Sequence, residues 1–268
     1  MITKLVLGGL LGAGLMAAPV APSFAAVAGD LIVNGGFEQT NGVVQSTKIT
    51  PATYNSNGDI VSQGNVTGWS SSGYNFVFLT NNAAVSKTQA DTIGSTNGTM
   101  LYGPGNGTKN GLTVSGNGGN FVAADNDYQQ GPISQRVSNL VVGNAYLLNF
   151  LWAGAQQTDY SGATQEQWTV TFGNSTQKTA NITVPARGFS GWLPVTMYFV
   201  ANATQETLSF LATGTPGGQP PFSLLDGVSL VAAPEPATLA LMMAGLVGLG
   251  AVGALRRRSA ARTGAASA

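Results

Sequence analysis

Apolar and polar residues alternate with a period of two through most of the middle of the chain. Ile133, Gln135 and Val137 alternate with Ser134 and Arg136, and Tyr146, Leu148, Phe150 and Trp152 share one face of an extended run. Trp168, Val170 and Phe172 alternate with Thr169 and Thr171; Val195, Met197 and Phe199 alternate with Thr196, Tyr198 and Val200. Leu208 and Phe210 flank Ser209, and Val228 and Leu230 flank Ser229. This period, carried by β-branched and aromatic residues, predicts half-buried strands. Val142-Gly143-Asn144 and Gly173-Asn174-Ser175 predict turns between them. Leu31-Ile32-Val33, ahead of the turn cluster Asn34-Gly35-Gly36, predicts a first strand. Many short strands with no helical period predict an all-β, antiparallel, two-sheet sandwich.

Residues 39–120 show a looser pattern. Positions 94–120 are dominated by Gly, Asn and Thr, including Gly103-Pro104-Gly105-Asn106-Gly107 and Gly116-Asn117-Gly118-Gly119. No Gly-Lys-Ser/Thr follows and no helical pattern begins, so a phosphate cradle is not expected. The composition predicts a mobile surface loop.

Both ends stand apart. Lys4 precedes an apolar run at 5–20, and Ala26-Val27-Ala28 offers a small-x-small cleavage site before Gly29, with Ser23-Phe24-Ala25 as an alternative. Residues 1–28 therefore read as a secretory signal helix. At the other end Pro234-Glu235-Pro236 precedes nineteen uncharged residues, 237–255, and then Arg256-Arg257-Arg258. Nineteen helical residues reach roughly 28 Å, enough for a single transmembrane helix. The arginines stop it and keep 259–268 as a cytoplasmic tail.

The tripartite arrangement at 234–258 resembles the PEP-CTERM sorting signal of Gram-negative bacteria that make exopolysaccharide. The resemblance implies an exosortase as partner. It also implies inner-membrane anchoring through the helix during sorting, followed by delivery to the cell surface or extracellular matrix. An ordinary membrane anchor is the alternative.

Residues 29–233 remain for one domain. The whole chain is neutral, but 29–235 holds eleven acidic and six basic residues, an excess of five negative charges. That balance argues against nucleic acid and anionic membrane surfaces as partners. The chain has no cysteine and no histidine. This removes the Ser-His-Asp triad, the Cys-His dyad and nearly every zinc site.

Leu31-Ile32-Val33-Asn34-Gly35-Gly36-Phe37-Glu38 with Gly68-Trp69, and Leu225-Asp226-Gly227-Val228-Ser229-Leu230, resemble the first and last strands of a galactose-binding-like jelly roll. That fold is shared by several carbohydrate-binding-module families. In a sandwich closed by its terminal strands Glu38 and Asp226 approach each other, and two such carboxylates repel unless a cation lies between them. The resemblance implies a structural Ca²⁺ there, and oxygen-only ligation suits a chain without His or Cys. The alternative is that both acids bond to backbone N–H groups without metal.

Trp69, Trp152, Trp168 and Trp192 are expected in the core. Tyr128, Tyr160 and Tyr102 lie in polar loop sequence, and Tyr128 and Tyr160 are the expected sugar-stacking residues. Asp125, Asp127, Asp159 and Glu166 flank aromatics but no motif pairs them, so they are expected as solvated acids. Six Asn-x-Thr sequons, at Asn65, Asn97, Asn106, Asn174, Asn181 and Asn202, are available for glycosylation. The expected function is a non-catalytic surface or matrix protein associated with extracellular polysaccharide. The alternatives are a polysaccharide hydrolase using a carboxylate pair and a protein-binding adhesin.

Overall fold

The computed structural model describes residues 29–42, 47–51, 53–54, 60–62, 64–79, 100–104, 108–117 and 119–234. The signal segment and everything from Glu235 onward lie outside these residues. Among the described residues no helix is long and apolar enough to cross a membrane.

The fold is all-β. In chain order the strands are β1 Thr47–Lys48, β2 Thr53–Tyr54, β3 Ile60–Ser62, β4 Ser70–Ser71, β5 Asn75–Phe78, β6 Phe121–Asp125 and β7 Ile133–Val137. There follow β8 Ala145–Gln156, β9 Thr164–Phe172, β10 Ser175–Lys178, β11 Ile182–Val184, β12 Leu193–Val200, β13 Glu206–Thr215 and β14 Pro221–Ala232. One sheet runs β1-β5-β6-β14-β8-β12 and the other β10-β9-β13-β7-β4, with β11 added to β9; β2 and β3 form a separate pair. Every pairing is antiparallel.

The alternating residues predicted to face inward do so. Phe150, Trp168, Val170, Phe172, Leu208 and Phe210 are buried between the sheets, joined by Trp69 and Trp152. Phe210 packs edge-on against both Phe150 and Trp168, with ring centroids 5.2 and 5.9 Å apart.

A second core lies on the outer face of the first sheet. Phe76, Phe78, Phe121, Ala153, Ala155, Phe222 and Leu224 meet Leu101 and Leu112 there. Leu101 and Leu112 belong to the glycine-rich stretch expected as a mobile surface loop. Its described parts instead cover the sheet, which is why β8 loses its alternation and is buried on both faces from Phe150 onward.

Leu31-Ile32-Val33 is not a strand. It lies against β14 through one ladder-like bond, Leu31 N–H to the Leu230 carbonyl at 2.9 Å. Val33 spends its own N–H and C=O on the Gln135 amide, both at 2.8 Å. The cause is the tight turn that follows: Asn34 and Phe37 both have positive φ, 55° and 57°. Gly35 crosses β14 so closely that a Cβ there would fall 1.8 Å from the Val228 carbonyl oxygen. Asn34 holds the turn with its side chain on Gln39 and Thr67, while its carbonyl accepts the Trp69 indole N–H at 2.9 Å.

β14 carries a register shift between Asp226 and Ser229, with Gly227 at φ +59°. Leu225 faces the inter-sheet core before the shift, and Val228 and Leu230 face it afterwards. The bulge therefore changes which parity points inward, as an odd number of extra residues must.

Candidate functional site

The loops leaving β6 and β8 and the loop entering β14 converge at one end of the sandwich. They form an open cleft of about 230 Å³ lined by Tyr74, Asp125, Asp127, Tyr128, Tyr160 and Gly218, with Gln157 and Pro220. Tyr128 and Tyr160, expected from their polar loop sequence to be exposed, share this cleft and are 56% and 39% exposed. Tyr74 joins them, its ring 5.2 Å from that of Tyr128 at 86°. Sequence reading passed over Tyr74 because it precedes β5 within Ser-Ser-Gly-Tyr-Asn, with no periodic signal of its own. Tyr102 lies apart, half-buried beneath the Arg187 guanidinium at 5.3 Å.

The cleft floor is built from side-chain clamps. Asp125 Oδ1 accepts the backbone N–H groups of Asp127 and Tyr128, both at 2.9 Å, which turns the chain sharply after β6. Fully buried Asn126 donates to Thr213 O and Ser223 Oγ and accepts from Ser223 N–H. Asp127 Oδ2 accepts Gly218 N–H at 3.1 Å, tying this loop to the one before β14. Burial raises the pKa of Asp125; the two backbone bonds oppose the shift and the Asp127 charge adds to it.

Of the other acids, Asp159 is exposed at φ +71°, after β8. Glu166 is not a solvated loop acid. It lies in β9 and is 0% exposed, with Oε1 accepting from Thr164 Oγ1 at 2.5 Å and Oε2 without a partner. Burial pushes its pKa up to about 8. The missed signal was parity, since Glu166 shares the inward phase of Trp168, Val170 and Phe172.

A second constellation lies on the outer face of β14, under the segment before β6. Asp226 is 0% exposed, accepts Gly227 N–H on Oδ1 at 2.6 Å and accepts Ser115 Oγ–H on Oδ2. Glu38 Oε1 accepts Gly119 and Asn120 N–H, each at 2.7 Å. Burial, with a contribution from the Glu38 charge, pushes the Asp226 pKa up to about 7. The backbone bonds of the metal-free alternative are therefore present, and so is the like-charge pair.

Three side chains offer oxygen to a hard cation, the two carboxylates and the Ser115 hydroxyl, while the Asn117 amide nitrogen lies beside Gly36 and Gly227. Glycines keep space around them. A Cβ on Gly36 would lie 3.8 Å from both Asp226 Oδ1 and Glu38 Cγ, and one on Gly227 would press on Asn117 at 3.0 Å. Among the described residues no group of three or more acids, cysteines or histidines gathers, so two carboxylates are the full acidic complement there.

Pro234 is the last described residue and is exposed; Glu235, Pro236, Arg256, Arg257 and Arg258 lie outside the described residues.

No protein-family model matches the chain, and no curated protein matches it. Among solved structures it is similar to TmCBM61 in complex with β-1,4-galactotriose, at 11% identity and a TM-score of 0.40, covering 76% of this chain and 99% of that one. It is similar to a carbohydrate-binding module of family CBM4, at 12% identity and a TM-score of 0.32, covering 75% and 99%. It is also similar to the CBM22-1 xylan-binding domain of Xyn10C from Paenibacillus barcinonensis, at 10% identity and a TM-score of 0.31, covering 71% and 97%.

Proposed function

We propose that the chain is an exported, non-catalytic glycan-binding protein of the cell surface or matrix, its cleft taking a neutral segment of extracellular polysaccharide. The observation that carries this is the convergence of Tyr74, Tyr128 and Tyr160 on one open cleft. Exposed aromatic faces stack on the apolar faces of sugar rings, and rigid tyrosines do so at low entropic cost. Asp125 and Asp127 are occupied by backbone amides of the cleft loops, which suits them to holding shape.

One observation favours a hydrolase as the second reading. Asp125, its pKa raised by burial, lines the same cleft as Asp127, so two carboxylates stand in one open cleft. A glycan array followed by titration separates the two readings. Binding without turnover, weakened in Tyr160→Ala, supports the module; turnover abolished in Asp125→Asn supports the hydrolase.

In this reading Pro234-Glu235-Pro236, the apolar run and Arg256-Arg257-Arg258 direct the protein to an exosortase. Glu38 and Asp226, with Ser115 and Asn117 beside them, would hold a structural Ca²⁺. Bound there, the ion supplies positive charge against the two carboxylates. Its role is to tie the turn after Asn34 and the segment at 115–120 to β14.

A further inference from the structure

The end of the sandwich opposite the cleft has its own character. β14 starts at the cleft with Pro221 and ends eleven residues later at Ala232, so the two ends lie roughly 36 Å apart. Ala233 N–H then bonds to the Ala145 carbonyl at 2.9 Å, and the chain leaves the domain at that point. Beside the exit are the loops 138–144, 173–174 and 201–205, and none of them contains a charged residue. Val141 and Val142 stand at the tip of the first, each 56% exposed. Val200, 48% exposed, and Tyr198, 65% exposed, continue the apolar surface along β12.

This exposure is held in place. Val141 N–H bonds to Tyr146 Oη at 2.8 Å and Asn144 N–H to the Val141 carbonyl at 3.1 Å. Gly143 N–H donates to the Ala201 carbonyl at 2.8 Å, and Ala201 N–H donates to the Asn144 carbonyl at 3.0 Å. The loop is thus pinned with two adjacent valines pointing outward, and exposing them costs free energy unless something covers them.

The chain itself says what lies nearby. Only Pro234, Glu235 and Pro236 separate Ala233 from the uncharged run 237–255. Fully extended, that link spans at most about 14 Å. A domain so closely tethered cannot stand clear of the surface its tail enters. Asp30, toward the same end, is bonded to the backbone N–H groups of Ile32 and Leu230; Glu206, after the loop 201–205, is buried and accepts Asn202 N–H, and exposed Arg136 donates to Gln205, while Asp125, Asp127 and Asp159 all lie toward the cleft. The domain's negative excess therefore does not bar contact between the uncharged loops and a neutral lipid surface.

We propose that Val141, Val142 and Val200 form a lipid-facing end that rests on an uncharged bilayer surface while the tail is embedded, with Tyr198 at its rim. The tyrosine cleft then points away from the membrane. The proposal rests on the membrane reading of 237–255.

The cysteine-free sequence allows single-site labelling of the full chain. Val142→Cys, Ala163→Cys beside the cleft and Gly248→Cys in the tail are each given a fluorophore and reconstituted in phosphatidylcholine vesicles. Nitroxide-bearing lipids should quench the label at 142 several-fold more strongly than that at 163, and aqueous iodide should show the reverse. If 248 is quenched by lipid but 142 behaves like 163, the tail is inserted and the docking proposal is overturned. If 248 is not quenched, the membrane reading fails and the docking proposal falls with it. Energy transfer between labels at 142 on two copies would assign this face to self-association and also overturn it. In the double variant Val141→Ser, Val142→Ser, a label placed instead at Val200→Cys should lose its lipid quenching, while its signal in the parent loop is retained.

Discussion

Asp226 and Glu38 meet across Gly36: a Cβ on that glycine would lie 3.8 Å from an oxygen of the first and 3.8 Å from Cγ of the second. Asp226 is wholly buried, and its pKa is pushed up to about 7 by burial, with Glu38 adding to the shift. A raised carboxyl pKa means that the unfolded state gives up its proton first. Metal-free stability should therefore fall as pH rises from about 4 to about 7. A cation reverses this, because it binds the ionised form.

Calcium should accordingly raise the melting temperature, and the gain should grow as pH rises through 7. At a hundredfold excess over Kd it amounts to about 2.7 kcal/mol. Scanning calorimetry with calcium and with chelator at pH 5.5 and 8 measures this. Indifference to both at pH 8, or equal sensitivity in Asp226→Asn, would remove calcium from the site.

Glu166 gives a second pH dependence with no metal involved. Its Oε2 has no partner, and a Cβ on Gly154 would lie 3.1 Å from it, in a space shared with Ile182 and Val184. With the pKa raised from 4.5 to about 8, the fold keeps a proton that the unfolded chain releases. The cost grows from about pH 4.5 and reaches about 3 kcal/mol at pH 7. Glu166→Gln should flatten that part of the stability profile between pH 5 and 8. Denaturant titrations that keep the parent slope would show that Glu166 ionises freely in the fold.

The cleft tyrosines should separate affinity from stability. Tyr128→Ala and Tyr160→Ala are expected to weaken glycan binding while leaving the melting temperature within a few degrees of the parent. Trp152, 2% exposed between the sheets, should behave oppositely, with Trp152→Ala costing about 3–5 kcal/mol. Binding to a neutral glycan should change little between low and moderate salt, because few ion pairs contribute. A steep salt dependence would indicate a charged ligand instead.

Tail processing is read by mass. In a host with the matching exosortase, surface protein should lack residues beyond Pro234-Glu235-Pro236. Mature surface protein that retains Arg256-Arg257-Arg258 would leave a simple membrane anchor.

The strands legible in the sequence were those with one wet face. β7, β9, β12 and β13 alternate because only one side is buried. β6, Phe-Val-Ala-Ala-Asp, shows no alternation because Leu101 and Leu112 help cover the outer side of its sheet. β10, Ser-Thr-Gln-Lys, is a sheet edge with no apolar residue to announce it. Leu31-Ile32-Val33 misled in the other direction: its composition is that of a strand, but Gly35 and the left-handed Asn34 bend the chain out of the ladder. Within the site, Tyr128 and Tyr160 stood out as aromatics in polar loops. Tyr74 and the seating of Asp226 depend on contacts between distant segments, which no local pattern encodes.

β14 leads from the cleft loop at Pro220 to the exit at Ala233, and it is paired along its length with β8 and over its first half with β6. Suppose a polysaccharide is held at one end while the tail is held at the other. Tension then runs along a central strand whose hydrogen bonds lie across the pull. Such a strand cannot be peeled away one bond at a time. Its bonds to both neighbours must be sheared together, so the element that links grip to tether is also the one best placed to bear load.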